Sequence, residues 1–305
     1  MSFLLYLLSV DVHLDALISD VLFTGKLVKS LLIDANPRFK EIFEKSRGSQ
    51  PKLVHITPLY KDVGGKVRCL YSFAMKSGGG WKIERVAINS GVYRFYIGFV
   101  ESNTQGTVSF DEIYNTLLNV GGVHRFLNYT VKADLSSVSI VNVAAHVRNA
   151  VRELLMGSGK VKIVFSSPTL LRDPLRSNKF KSLIPIPLNI FSTPVYILHH
   201  LSGKLTTRNV GRTLLILHRL LNEPYSYLRT TIMKWVAYER SKNPIPALVG
   251  YVNLYLNKAY HEQYSKAYEL EGLLENVFTT MLVLGTGTSR ASGFGHVLVE
   301  TIRKD

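Results

Sequence analysis

Residues 285–295 read GTGTSRASGFG, with four glycines, two threonines, two serines and one arginine in eleven positions. Closely spaced glycines let the backbone take positive φ and turn several N–H groups toward one anion. The hydroxyls of Thr286, Thr288, Ser289 and Ser292 add donors, and Arg290 can hold a phosphate with two hydrogen bonds. The plainer alternative is a tight loop before a strand, with Arg290 in solvent. A dinucleotide fingerprint is excluded, because its third glycine would stand where Arg290 does. Gly159-Lys160 is no phosphate loop either, since Val161 replaces the Ser or Thr and Leu154 the first glycine.

Working outward from the loop, 262–281 is mostly helical and 294–302 is a closing strand. Ahead of them come a strand at 160–166, a helix at 209–221 and a hairpin, 229–239 with 248–256, around a basic loop at 240–246. The run 182–198 carries no charge but contains Pro185, Pro187 and Pro194, which predicts an extended segment and not a membrane helix. The first half has the same order. Residues 3–10 are a strand, and Thr24 can cap a helix with Leu27, Val28, Leu31, Leu32 and Ala35 at helical spacing. Asn36-Pro37 interrupts it, Phe39, Ile42 and Phe43 follow, and Gly48 ends that piece. Then come a strand at 53–60, a hairpin pairing 66–75 with 81–89, a strand at 92–101, a helix at 111–119 and a strand at 123–131. A helix at 144–156 connects the halves and stops at Gly157-Ser158-Gly159. The expected fold is α+β, two tandem ferredoxin-like βαββαβ domains, 1–157 and 158–305.

Composition sets the partner class. The chain has 37 Lys and Arg against 22 Asp and Glu, a net charge of +15. Such an excess favours polyanions, because each phosphate neutralised releases counterions; an anionic membrane surface is the competing reading. The lone Cys69 excludes an internal disulfide and a thiolate metal cluster, and residues 3–10 are too short to span a bilayer. A soluble, cytoplasmic protein without cofactor or bound metal is expected. His199-His200, adjacent in sequence, read as structural or exposed residues, not metal ligands.

The ending LGTGTSRASGFGHVLVE resembles the glycine-rich motif of the CRISPR-associated endoribonucleases of the RAMP superfamily, which cut precursor CRISPR RNA within its repeat. VKIVFSSPTLL (161–171) is similar to that family's opening strand and SPT turn, and SLLIDANPRF (30–39) to its first helix. The resemblance implies a metal-independent reaction in which the 2′-hydroxyl attacks the adjacent phosphate, leaving a cyclic phosphate and a 5′-hydroxyl. It implies CRISPR repeat RNA as partner, with a larger effector assembly and a homodimer as candidate associations. A subunit that binds CRISPR RNA without cutting is the alternative.

Many relatives carry a histidine near the end of the first helical region, yet 41–47 holds none. Lysines stand nearby. Lys26 and Lys29 lie three apart on the first helix, and other archaeal relatives are similar in carrying Lys-x-x-Lys there and a lysine at the place of Lys52. These three would stabilise a phosphorane, against the plain reading of a solvated helix face. His55 is a further candidate if Lys52 lies in the turn before its strand, and His13 a weaker one in the loop after the first strand. The expected RNA-binding set is Gly285, Gly287, Thr288, Ser289, Arg290 and Gly293, with Arg240 and Lys242 at the hairpin tip. Arg172, Arg176, Lys179 and Lys181 add a basic, proline-bounded loop.

Overall fold

The computed structural model describes residues 3–44, 50–102, 107–176, 181–224, 227–239 and 242–302. Gly48, Lys179 and Arg240 lie outside them. Leu4–Asp15 is the central strand of the first sheet and runs beyond the expected 3–10. Leu8, Val10, Val12 and Leu14 alternate inward, so Asp11 and His13 fit the strand on its other face and His13 is not a loop residue. The partner strand Gly91–Glu101 buries Tyr93, Phe95, Ile97 and Phe99 in register, Val10 opposite Phe95 and Leu8 opposite Ile97. Tyr129–Ile140 pairs on the other edge of Leu4–Asp15, and Val54–Ile56 pairs beyond Gly91–Glu101, all antiparallel. Gly25–Ala35 covers this apolar face with Leu27, Val28, Leu31 and Leu32, and Phe110–Leu118 with Ile113 and Leu117. Ser109 caps the latter helix, its Oγ accepting the Glu112 N–H at 3.2 Å. Thr24 does stand at the other helix's N-terminus, but its hydroxyl donates to Leu70 O and accepts from Leu59 N–H, tying helix to sheet.

The second sheet runs Val297–Thr301, Lys160–Thr169, Ile245–Leu256, Thr231–Val236 and then a hairpin from the first half, Phe73–Ser77 with Gly80–Glu84. In both sheets the strand opening the half lies between the one closing it and the one before its last helices. The expected single hairpin of 66–75 with 81–89 is thus corrected to two, because Lys66–Cys69 pairs with Tyr60–Val63. The cause is Ser72, fully buried, which donates from Oγ to Val21 O and from N–H to Leu22 O and accepts Ala237 N–H. Its Oγ also accepts the Val86 N–H, so the backbone of four residues is tied to Ser72, turning the chain from one sheet to the other. Trp81 and Trp235 pack at 4.8 Å where the hairpin docks.

The extended reading of 182–198 is also corrected, since Pro187–Leu201 is a helix. Pro187 opens it, where a fixed φ and missing donor suit the first turn. Pro194 inside it leaves the Ile190 carbonyl without its helical partner. The buried Thr286 hydroxyl donates to that carbonyl, so the glycine loop repairs the gap. The stretch 262–281 is divided between two helices, Lys258–Tyr264 and Leu270–Leu284, with Glu269 left-handed at the break. Val143–Met156 and Leu270–Leu284 pack on the second sheet, in a core that also takes in Leu7, Leu53 and Val100 of the first. Gly98 is what permits this contact: a Cβ there would lie 1.7 Å from Val283 O. Among the described residues no helix is long and apolar enough to cross a membrane.

Candidate functional site

The glycine loop fills the seam between the halves. Its N–H groups are largely spent inside the protein: Gly285 on Met281 O, Thr286 on Gly295 O, Thr288 on Leu170 O, Gly295 on Pro168 O. At Gly287, with φ +75°, a Cβ would stand 2.2 Å from Leu170 O. Across the seam, a Cβ on Gly25, the first residue of the lysine helix, would meet Ser292 O at 2.6 Å. Gly285, Gly287 and Gly293 are buried, and the exposed tip is Ser289, itself left-handed at φ 61°, flanked by the partly buried Thr288 and Ser292. Close approach, more than anion binding, is what these glycines supply here.

Arg290 points inward. Its guanidinium donates to Leu284 O at 2.5 Å and to Lys52 O at 2.8 Å, and its own carbonyl meets His55 Nδ1 at 3.1 Å. Burial pulls its pKa down to about 10, so it remains charged at neutral pH. The expected two-bond phosphate grip is therefore corrected to an internal tie, holding the loop, the Lys52 turn and the His55 strand together.

His55 is fully buried, with Nε2 3.4 Å from His296 Nδ1, and Tyr96 stacks on the His296 ring at 5.1 Å. This places His55 away from solvent. Burial holds His55 well below the usual histidine range and His296 down to about 4. The unfolded chain binds those protons near the ordinary value of about 6.5, whereas the folded chain does not. Stability is thus full above that pH and is lost as pH falls toward 4, by roughly 3 kcal/mol for His296 alone. Urea midpoints should accordingly drop between about pH 7.5 and about pH 5 and drop less in His296→Gln. Equal slopes in the two proteins would show that His296 carries none of the effect.

The three lysines split into two sub-sites. Lys29 and Lys52 meet at the end of Arg38–Phe43, where Lys52 Nζ donates to Ile42 O at 2.6 Å and to Glu44 O, and Lys29 Nζ reaches Phe43 O at 3.5 Å. Lys26 stands over the Tyr238 ring, 4.1 Å from its centroid. Partial burial lowers the pKa of all three; the Lys29 charge adds to this for both Lys26 and Lys52. Lys29 therefore links the set. Lys242 is exposed, ion-paired to Glu239 at 2.6 Å, and its charge also acts on Lys26, so the hairpin tip lies beside the lysine helix.

Several residues here escaped the sequence reading. Phe23, Tyr238 and Phe294 form one aromatic stack, Phe23 on Phe294 at 4.4 Å and Tyr238 on Phe294 at 5.6 Å. They lie far apart in the chain, and only Phe294, inside the glycine motif, carried a local signal. His296, directly after that motif, was legible as a neighbour but not as the partner of His55.

No family model matches the chain, and no curated protein matches it. Solved structures do match. Thermus thermophilus Cas6 aligns over 98% of this chain and 100% of its own, at 12% identity and a TM-score of 0.54. A product complex of the same Cas6 aligns over 97% and 99%, at 14% identity and a TM-score of 0.57. At these identities the likeness is one of architecture: an α+β chain with antiparallel sheets that shares the Cas6 fold over nearly its whole length.

Proposed function

We propose that the chain is a RAMP-superfamily endoribonuclease built from two ferredoxin-like halves, cutting CRISPR repeat RNA without a metal ion. The observation that carries this reading is the Lys29–Lys52 pair, with Lys26 within electrostatic reach of Lys29, beside the glycine loop of a Cas6-like fold. The 2′-oxygen forms a bond to the adjacent phosphorus, its proton passes to a base, and the bond to the 5′-oxygen breaks as that oxygen takes a proton. A 2′,3′-cyclic phosphate and a 5′-hydroxyl result. Lysine ammonium groups stabilise the doubly charged phosphorane, and their lowered pKa values ease proton exchange at this site. Burial of His55 and Arg290 leaves that chemistry to the lysines and the exposed Ser289.

The engagement of Lys29 and Lys52 by helix-end carbonyls favours a second reading, a subunit that holds repeat RNA, alone or within an effector assembly, without cutting it. End-labelled repeat RNA incubated in EDTA, beside a copy with 2′-deoxy at the cut, separates the two. Cleavage in EDTA confined to the 2′-hydroxyl substrate is expected. Tight binding with no product, across several repeats, would leave the binder.

A further inference from the structure

A cleft of ≈ 280 Å³ opens beside Lys26, walled by Leu22, Phe23, Phe126, Leu127 and Tyr238. Asp20 and Glu239 stand at its polar side. Its aromatic floor is rigid, because Phe23, Tyr238 and Phe294 pack on one another. Its rim is Leu127, first residue of the two-residue turn joining Gly122–Phe126 to Tyr129–Ile140, and it is 60% exposed at φ 55°. Turns of this kind place glycine, asparagine or aspartate at such a position. A leucine there accepts backbone strain and gains little burial, the kind of cost retained where a side chain serves a site.

We propose that this cleft seats one unpaired nucleobase of the RNA, next to the reacting phosphate. The base lies against the Tyr238 and Leu127 side chains and its phosphate meets the Lys26 ammonium, while Asp20, ion-paired to Arg85, and Glu239, ion-paired to Lys242, bound the polar side. The seat rests on the RNA-cleaving reading above and adds how the substrate is splayed at the cut.

The test uses the full chain and repeat RNAs with 2′-deoxy at the cut, each carrying 2-aminopurine at one position in turn. One position next to the cut should be strongly quenched on binding, and its neighbours not. Leu127→Gly relieves the left-handed leucine, so its melting temperature should not fall. It should nevertheless weaken that quenching, because the base is no longer held on Tyr238, and weaken RNA binding by about fivefold, one apolar side-chain contact. Binding with no quenched position, or quenching untouched in Leu127→Gly, overturns the seat. A lowered melting temperature with unchanged binding makes the leucine merely structural and also overturns it. Cleavage of the all-ribose RNA is scored alongside. Cutting without a quenched position removes the seat and spares the nuclease, whereas a quenched position without cutting keeps the seat and removes the nuclease. No binding removes both.

Discussion

Single-turnover cleavage by the Lys26→Ala, Lys29→Ala, Lys52→Ala triple variant is expected to fall by about 10²–10⁴-fold, the usual worth of positioned acid–base and charge-stabilising groups. RNA affinity should fall much less, because 37 basic residues share the electrostatic attraction and three contacts remove only their part of the salt dependence. Melting should move little: all three lysines are partly exposed, and only Lys29 and Lys52 bond to carbonyls at the end of Arg38–Phe43. Because Lys26 sits apart on Tyr238, the single Lys26→Ala variant distinguishes its role from that of the Lys29–Lys52 pair. An unchanged rate in the triple variant would remove the lysines from the chemistry. Equal losses in rate and affinity would reduce them to general phosphate contacts.

Arg290→Ala is expected to cost about 3 kcal/mol of stability, from two carbonyls left unpaired and the volume of a buried side chain lost. For a chain of this size that lowers the melting temperature by roughly 5 °C. An arginine gripping RNA from the surface would behave otherwise, with melting unchanged and affinity alone reduced. Thermal denaturation of the free protein therefore decides between the internal tie and the phosphate clamp.

That contrast shows where sequence reading reaches and where it stops. The apolar run at 3–10 and the helical spacing at Leu27, Val28, Leu31 and Leu32 are local signals, and they placed the first strand and its helix, whereas the expected strand at 123–131 is a hairpin of Gly122–Phe126 with Tyr129–Ile140. The Gly–Thr–Ser–Arg run announced a constrained loop before the closing strand. It could not say that Thr286 would be consumed by the carbonyl that Pro194 frees, or Arg290 by Leu284 and Lys52. Those partners lie on other elements, and the same donors serve a phosphate or a carbonyl equally well. Pro187 and Pro194 misled for a related reason: the missing hydrogen bond of a helix proline is repaired from 96 residues away. The hairpin at Phe73–Ser77 carries no mark of the sheet it joins, because Ser72 decides that through contacts with Val21, Leu22 and Ala237. Among the proposed site residues, Lys26 and Lys29 share one helix but were singled out, with Lys52, by the resemblance and not by spacing, whereas Tyr238 and Leu127 come into view only when the chain folds.

The mass of the upstream RNA fragment released by the wild-type protein in EDTA is the most direct measurement. Attack by the 2′-hydroxyl predicts a 2′,3′-cyclic phosphate at its new end and a 5′-hydroxyl on the downstream fragment. A free 3′-hydroxyl facing a 5′-phosphate would contradict the mechanism, because it requires water, and not the neighbouring ribose, as the nucleophile.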